Sequence, residues 1–167
     1  MQDDVSETVA GFTRFYPWVD ADGIELSYRL SETSEAMRSA SDRIFATFGA
    51  EGGRLRYGIM RRIYFEPAGW LTQNRIADEM TMPPSTVTYL VDGLERDKLV
   101  ERLSHATDRR VSCVALTDTG RDLCERMLPA VAEHMGAVAQ AFTPEEKHLF
   151  IALLRRFQQS ADATQQE

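Results

Sequence analysis

The sequence predicts a mainly α-helical protein with one small β-hairpin, and three observations predict it. Apolar residues recur at helical spacing through most of the 167 residues. That period gives way in one place, to two short β-type runs at Leu99–Leu103 and Val111–Leu116, joined by the polar stretch Ser104–Arg110. Amphipathic helical stripes lie at both ends of the chain and exceed what the middle needs to bury.

The first long helix is predicted over residues 24–48. Leu30, Met37 and Ile44 recur every seven positions, with Leu26, Thr33 and Ala40 offset by four, and Gly49 and Gly52-Gly53 end it. Such a narrow stripe seeks a partner helix, in this chain or another. Upstream, Phe12, Phe15, Tyr16, Trp18 and Val19 crowd around Pro17, too dense in aromatics for a free tail. A second helix is predicted over 54–66, with Leu55, Ile59 and Ile63 four apart and Pro67-Ala68-Gly69 as its stop. A short third follows over 72–80, capped by Thr72, with Ile76, Ala77 and Met80 inward. A fourth runs over 84–97, with Pro84 in its first turn and Val87, Leu90, Val91 and Leu94 on one face.

The hairpin comes next. Helix returns after Thr117 with Leu123, Met127, Val131, Met135 and Val138, and Pro129 is expected to kink it or interrupt its hydrogen bonds. The last helix opens at Thr143-Pro144-Glu145-Glu146, with Thr as N-cap, Pro at the first position and Glu three after the cap. Leu149, Leu153 and Phe157 mark its apolar face, and the tail from Ser160 is polar. Helix, short turn, helix and β-hairpin in that order make a winged helix-turn-helix.

Composition bounds the function. With 43% apolar and 27% charged residues the chain is a globular protein rather than a disordered one. No apolar run reaches the ~20 residues of a membrane span, and the acidic start MQDDVSETVA does not read as an export signal, so a cytoplasmic protein without membrane contact is expected. Cys113 and Cys124 form neither a disulfide framework nor a metal-finger spacing and read as inert packing residues. His105, His134 and His148 are too scattered for a local ligand set, so neither metal nor cofactor is expected. No nucleophile signature or Gly-rich phosphate loop appears, and an enzyme is not expected.

The net charge of -7 alone speaks against a polyanionic partner, but its distribution does not. Residues 1–53 carry -6, residues 54–116 carry +2 and residues 117–167 carry -3. The basic middle coincides with the helix-turn-helix and hairpin, which points to nucleic acid. The second helix of such a pair enters the major groove, and its outward residues here are Ser85, Thr86, Thr88, Tyr89 and Asp92. The hairpin tip ends in Asp108-Arg109-Arg110. An arginine on a thin wing fits the minor groove, and Asp108 makes sense beside it if its carboxylate orients the Arg110 guanidinium.

Leu71-Thr72-Gln73, Ser85-Thr86-Val87-Thr88, Val91-Asp92-Gly93-Leu94-Glu95, Leu99-Val100-Glu101-Arg102, Asp108-Arg109-Arg110 and Leu116-Thr117-Asp118-Thr119-Gly120, in this order and spacing, resemble the MarR family of bacterial transcriptional regulators. The similarity runs from about residue 24 to 158, and the family's Asp-x-Arg wing motif falls on Asp108 and Arg110. The resemblance implies a homodimer on a near-palindromic DNA site. Residues 1–53 and 118–167 would then form a helical dimerisation domain around a DNA-binding domain at 54–117. It also implies a repressor released by a small aromatic or lipophilic effector bound between those domains. The proposed walls are Phe45, Phe48, Arg56, Tyr57, Met60, Ile63, Tyr64 and Trp70, although the same residues also suit an ordinary core. The chain departs from the family at Tyr89, where a basic residue is common, and at Arg75, where an acid is common and a phosphate contact is expected here. The competing reading is a dimeric scaffold or anti-regulator of the same fold without DNA binding.

Overall fold

The computed structural model describes residues 4–49, 53–104 and 112–164. Its elements are α1 (Asp4–Phe15), α2 (Ala21–Thr47), α3 (Gly53–Phe65), β1 (Trp70–Thr72), α4 (Gln73–Met80), α5 (Pro84–Arg96), β2 (Val100–Ser104), β3 (Ser112–Leu116), α6 (Asp118–Val138) and α7 (Pro144–Thr164). A single 3-10 turn at Ala139–Ala141 precedes α7. The chain divides into two compact units, Met1–Cys124 and Glu125–Glu167.

The predicted helices and hairpin are present with ends shifted by a few residues at most. Two elements are additional. Helix α1 places Val5 in the core and sets the Phe12 ring 6.4 Å from that of Tyr28 on α2. The aromatic stretch therefore docks in part, while Phe15 and Trp18 stay 73% and 79% exposed. Strand β1 spans three residues, too few for any periodicity to reveal. Pairing with β3 creates it, through Trp70 opposite Ala115, Leu71 opposite Val114 and Thr72 opposite Cys113. The sheet order is β1-β3-β2, so the second strand of the hairpin is central, and Cys113, Val114, Ala115 and Leu116 are all buried.

The core of the first unit gathers Phe45 from α2, Ile59, Met60 and Ile63 from α3, Ile76 from α4, Val87, Val91 and Leu94 from α5, and Leu71 and Val114 from the sheet. Helix α6 runs on through Pro129, whose ring removes one backbone donor without ending the helix. The expected capping box of α7 is formed. The Thr143 N–H donates to Glu146 Oε2 at 2.8 Å, and the Glu146 N–H donates to Thr143 Oγ1 at 3.2 Å. The apolar face of α7 is left open among the described residues: Leu149 is 61% and Leu153 46% exposed, and α7 has no buried residue. A stripe reports that a helix is amphipathic, not which chain supplies its cover.

Helices α4 and α5 end in the same way. After α4, the Met82 N–H donates to the Ala77 carbonyl and the Thr81 N–H to that of Asp78, with Thr81 at φ 50°. After α5, the Leu99 N–H donates to Leu94 and the Lys98 N–H to Glu95, with Lys98 at φ 58°. Both are Schellman stops with a left-handed residue where glycine is usual. Thr81 is β-branched, for which this conformation is most costly. Thr81→Gly and Lys98→Gly are each expected to stabilise the fold by about 1 kcal/mol, read as a rise of a few degrees in melting temperature. An unchanged or lower melting temperature for both contradicts this account of the two helix ends.

The hairpin is tied to α6 by one residue on each side of a close approach. Thr117 Oγ1 donates to the Lys98 carbonyl at 2.6 Å and accepts the Gly120 N–H at 3.0 Å, so it caps α6 and holds the end of α5 at once. Gly120 packs so tightly on Leu99 that a Cβ placed there overlaps the Leu99 carbonyl oxygen.

Candidate nucleic-acid interface

Helix α5 sets an exposed polar and aromatic face on a buried base. Val87, Leu90, Val91 and Leu94 are buried. On the opposite face stand Ser85, Thr88, Tyr89 and Asp92, all exposed, with Thr86 at its edge. Tyr89 is 74% exposed. Pro83 is the N-cap and makes no side-chain cap, and Pro84 fills the first turn. Ser85 and Thr86 therefore do not serve as caps, and among the described residues neither hydroxyl has a hydrogen-bond partner. Thr88 Oγ1 donates back to the Pro84 carbonyl at 3.0 Å.

Helix α4 supports this surface. Thr72 Oγ1 accepts the Arg75 N–H at 3.2 Å and caps it, as its position predicts. Arg75 is half exposed but does not stand alone. Its guanidinium reaches Glu66 at 2.8 Å and Glu79 at 2.7 Å, and the Glu79 hydrogen bond raises its pKa against the opposing effect of burial, with Glu66 adding to it. Glu79 also lies 3.5 Å from Arg62 of α3. Arg75 thus sits in an ion-pair chain linking α3 to α4.

A second group, whose pairing the sequence does not reveal, joins α5 to β2. Arg102 Nη2 reaches Asp92 Oδ1 at 2.5 Å, and its Nη1 reaches the Glu95 carboxylate. Burial opposes the charged form, but the two carboxylates outweigh it and raise the pKa of Arg102. Asp92 and Glu95 are one turn apart on one helix, which is the spacing that lets both face a single strand residue. The wing tip, with Asp108, Arg109 and Arg110, lies outside the described residues.

The residues expected to line an effector pocket divide in two. Phe45, Tyr57 and Met60 are buried, and the rings of Phe45 and Tyr57 lie 4.7 Å apart. Burial raises the Tyr57 pKa, partly offset by Arg61. Phe48, Tyr64 and Trp70 are half-buried. Tyr64 meets Phe65 edge-on at 5.3 Å and carries the Arg121 guanidinium 5.8 Å above its ring. Arg56 is ion-paired with Asp97 at the end of α5, which ties α3 to α5. Cys113 and Cys124 are free thiols and both buried, and burial pushes the Cys113 thiol above its ordinary pKa. Both thiols are expected to resist a disulfide-exchange reagent in the native protein and to react at once on denaturation. Fast native labelling of either contradicts an inert packing role.

A short helix, a three-residue turn, a second helix with an outward polar and aromatic face, and a three-stranded sheet carrying a hairpin define a winged helix-turn-helix protein. Residues 53–111 match the model of the MarR family. The HTH-type transcriptional repressor YetL of Bacillus subtilis (strain 168) is 30% identical over 139 residues, covering 83% of this chain and 82% of that protein. The chain belongs to the MarR family and is a transcriptional regulator. Among solved structures, Staphylococcus aureus MepR in its DNA complex superimposes with a TM-score of 0.74 at 27% identity, over 80% of this chain and 96% of that one. Sco3205 from Streptomyces coelicolor, a MarR family regulator in complex with DNA, gives 0.77 at 21% identity over 86% and 94%, which shows the fold. Among the described residues no helix is long and apolar enough to cross a membrane.

Proposed function

We propose that the protein is a cytoplasmic, homodimeric repressor that binds a near-palindromic DNA site and is released by a small aromatic or lipophilic molecule. The observation that carries the reading is the face of α5. Ser85, Thr86, Thr88 and Tyr89 stand out from a helix whose other side is locked into the core. Asp108, Arg109 and Arg110 would add the minor-groove and phosphate contacts of the wing. Arg75 would reach a phosphate only with part of its charge already held by Glu66 and Glu79.

The helical regions 1–53 and 118–167 would form the dimerisation domain around the DNA-binding region 54–117. Support for it lies in the apolar side chains left exposed on α2, α6 and α7, among them Leu26, Met37, Met135, Leu149 and Leu153. A two-fold dimer presents two α5 helices about one DNA turn apart, ~34 Å. The effector would enter beside the half-buried Phe48, Tyr64 and Trp70 and bear on Phe45, Tyr57 and Met60, with Arg56 near at hand. It would shift the equilibrium toward a dimer whose helices no longer match adjacent grooves.

The test is DNA retention across a salt series with sedimentation at matching concentrations. A dimer that loses DNA steeply as salt rises supports the reading. A chain that dimerises and retains no DNA at low salt supports the scaffold instead. A stable monomer with a single-subunit footprint overturns the dimer.

A further inference from the structure

From the face of α5 we infer that Tyr89 reads the C5-methyl group of a thymine, and that the bases under this helix are A·T pairs; the inference rests on the DNA-binding reading above. The first ten residues of α5, Pro84 to Gly93, contain no lysine, arginine or histidine, and its one cation is Arg96 in the last turn. Two nearby cations that could supply the missing charge are engaged elsewhere. Arg102 is held between Asp92 and Glu95, and Arg75 between Glu66 and Glu79.

Guanine is read in the major groove by an arginine or lysine that donates to O6 and N7 together. Nothing on the outward face of α5 can make that pair of bonds. Asp92, the carboxylate that might instead accept from cytosine N4, is committed to Arg102. What the face does offer is the hydroxyls of Ser85 and, at its edge, Thr86, that of Thr88 already turned to its own helix, and a large apolar ring with one terminal hydroxyl at Tyr89. The ring stands 74% exposed, at the centre of the face and about one turn before Asp92. An apolar surface in the major groove has one matching feature among the four bases, the thymine methyl. Tyr89 is the largest apolar surface that α5 turns outward.

The experiment starts with full-length protein and a random duplex library, selecting retained sites for the wild type, Tyr89→Phe, Tyr89→Ala and Tyr89→Arg. Each thymine of the selected site is then replaced by deoxyuridine, which removes only the methyl. Wild type is expected to fix a thymine at one position of the site and to lose about fourfold in affinity when that thymine becomes uracil, the worth of one buried methyl. Tyr89→Phe is expected to keep the uracil penalty, Tyr89→Ala to lose both the thymine preference and the penalty, and Tyr89→Arg to move that position toward guanine. Wild-type sites with guanine under α5, or equal affinity for thymine and uracil at every position, overturn the assignment. A uracil penalty that survives in Tyr89→Ala overturns it as well. Equal losses in Tyr89→Phe and Tyr89→Ala, insensitive to uracil, would place the phenol on a phosphate instead. A chain that retains no DNA under any condition removes the underlying reading, which separates that failure from the others.

Discussion

Gly120→Ala is expected to cost about 3 kcal/mol of folding stability or more, seen as a fall of roughly 6–12 °C in melting temperature. The added methyl has nowhere to go. It would overlap the Leu99 carbonyl oxygen, and on its other side Leu116 Cδ2 lies 3.3 Å away. That carbonyl also accepts the Thr117 N–H at 3.2 Å, so moving it breaks the turn that starts α6. The Leu99 carbonyl and the Thr117 N–H are backbone groups at the base of the hairpin, with no rotamer to change. The comparison is Gly136→Ala, also within α6, where a Cβ meets nothing within 4 Å. That variant is expected to gain about 0.5–1 kcal/mol, the ordinary advantage of alanine over glycine in a helix. Equal melting temperatures for the two variants would mean that the close approach of α6 to Leu99 does not exist in solution.

Arg110→Ala is expected to weaken operator binding by roughly 1–3 kcal/mol while the melting temperature stays unchanged. The arginine would enter the minor groove from the hairpin tip, where narrow A·T stretches concentrate negative potential. Asp108→Ala is the sharper test, because simple charge counting predicts the opposite sign. Removing an acid beside phosphates should strengthen binding, but removing the carboxylate that aims Arg110 should weaken it. Affinity is expected to fall. Tighter binding by Asp108→Ala would make Asp108 a repulsive surface acid and leave Arg110 unguided. Arg109→Ala, expected to remove a phosphate contact, should lower affinity evenly across sequences and flatten the salt dependence.

The helix-turn-helix was legible because local signals agree there. Thr72 caps, Pro84 opens, and Val87, Leu90, Val91 and Leu94 repeat at helical spacing, all without reference to distant residues. The hairpin was legible because the period changes at Leu99. Strand β1 was not, since Trp70–Thr72 is a strand only by virtue of β3, more than forty residues later. Helix α1 was hidden by the aromatic crowding around Pro17, which reads as a docking segment before it reads as a helix. The outward set Ser85, Thr88 and Tyr89 followed from periodicity alone. The Arg102 pairing did not, because it joins residues on two different elements. Arg75 shows the same limit from the other side, since its engagement with Glu66 and Glu79 depends on how α3 and α4 meet. Periodicity likewise separates core from surface at Phe45 and Tyr57 but does not tell a packed core from a ligand wall.

The central place of β3 in the sheet bears on how a protein of this kind acquires a new target. One edge of β3 pairs with β1, which runs directly into the cap of α4 at Thr72; the other pairs with β2, which Arg102 fastens to α5. Helix α5 and the hairpin therefore hang from one strand, and shifting its register by a single residue would move each of Cys113, Val114, Ala115 and Leu116 to the face opposite its present one. Reshaping the frame is a costly evolutionary route, since moving α5 also disturbs β2 through Arg102. Exchange of side chains on the outward face is open, because Ser85 and Tyr89 hold up nothing beneath them and Thr88 bonds only within its own helix. New binding preferences in such a lineage should accumulate at those few positions while the scaffold under them stays still.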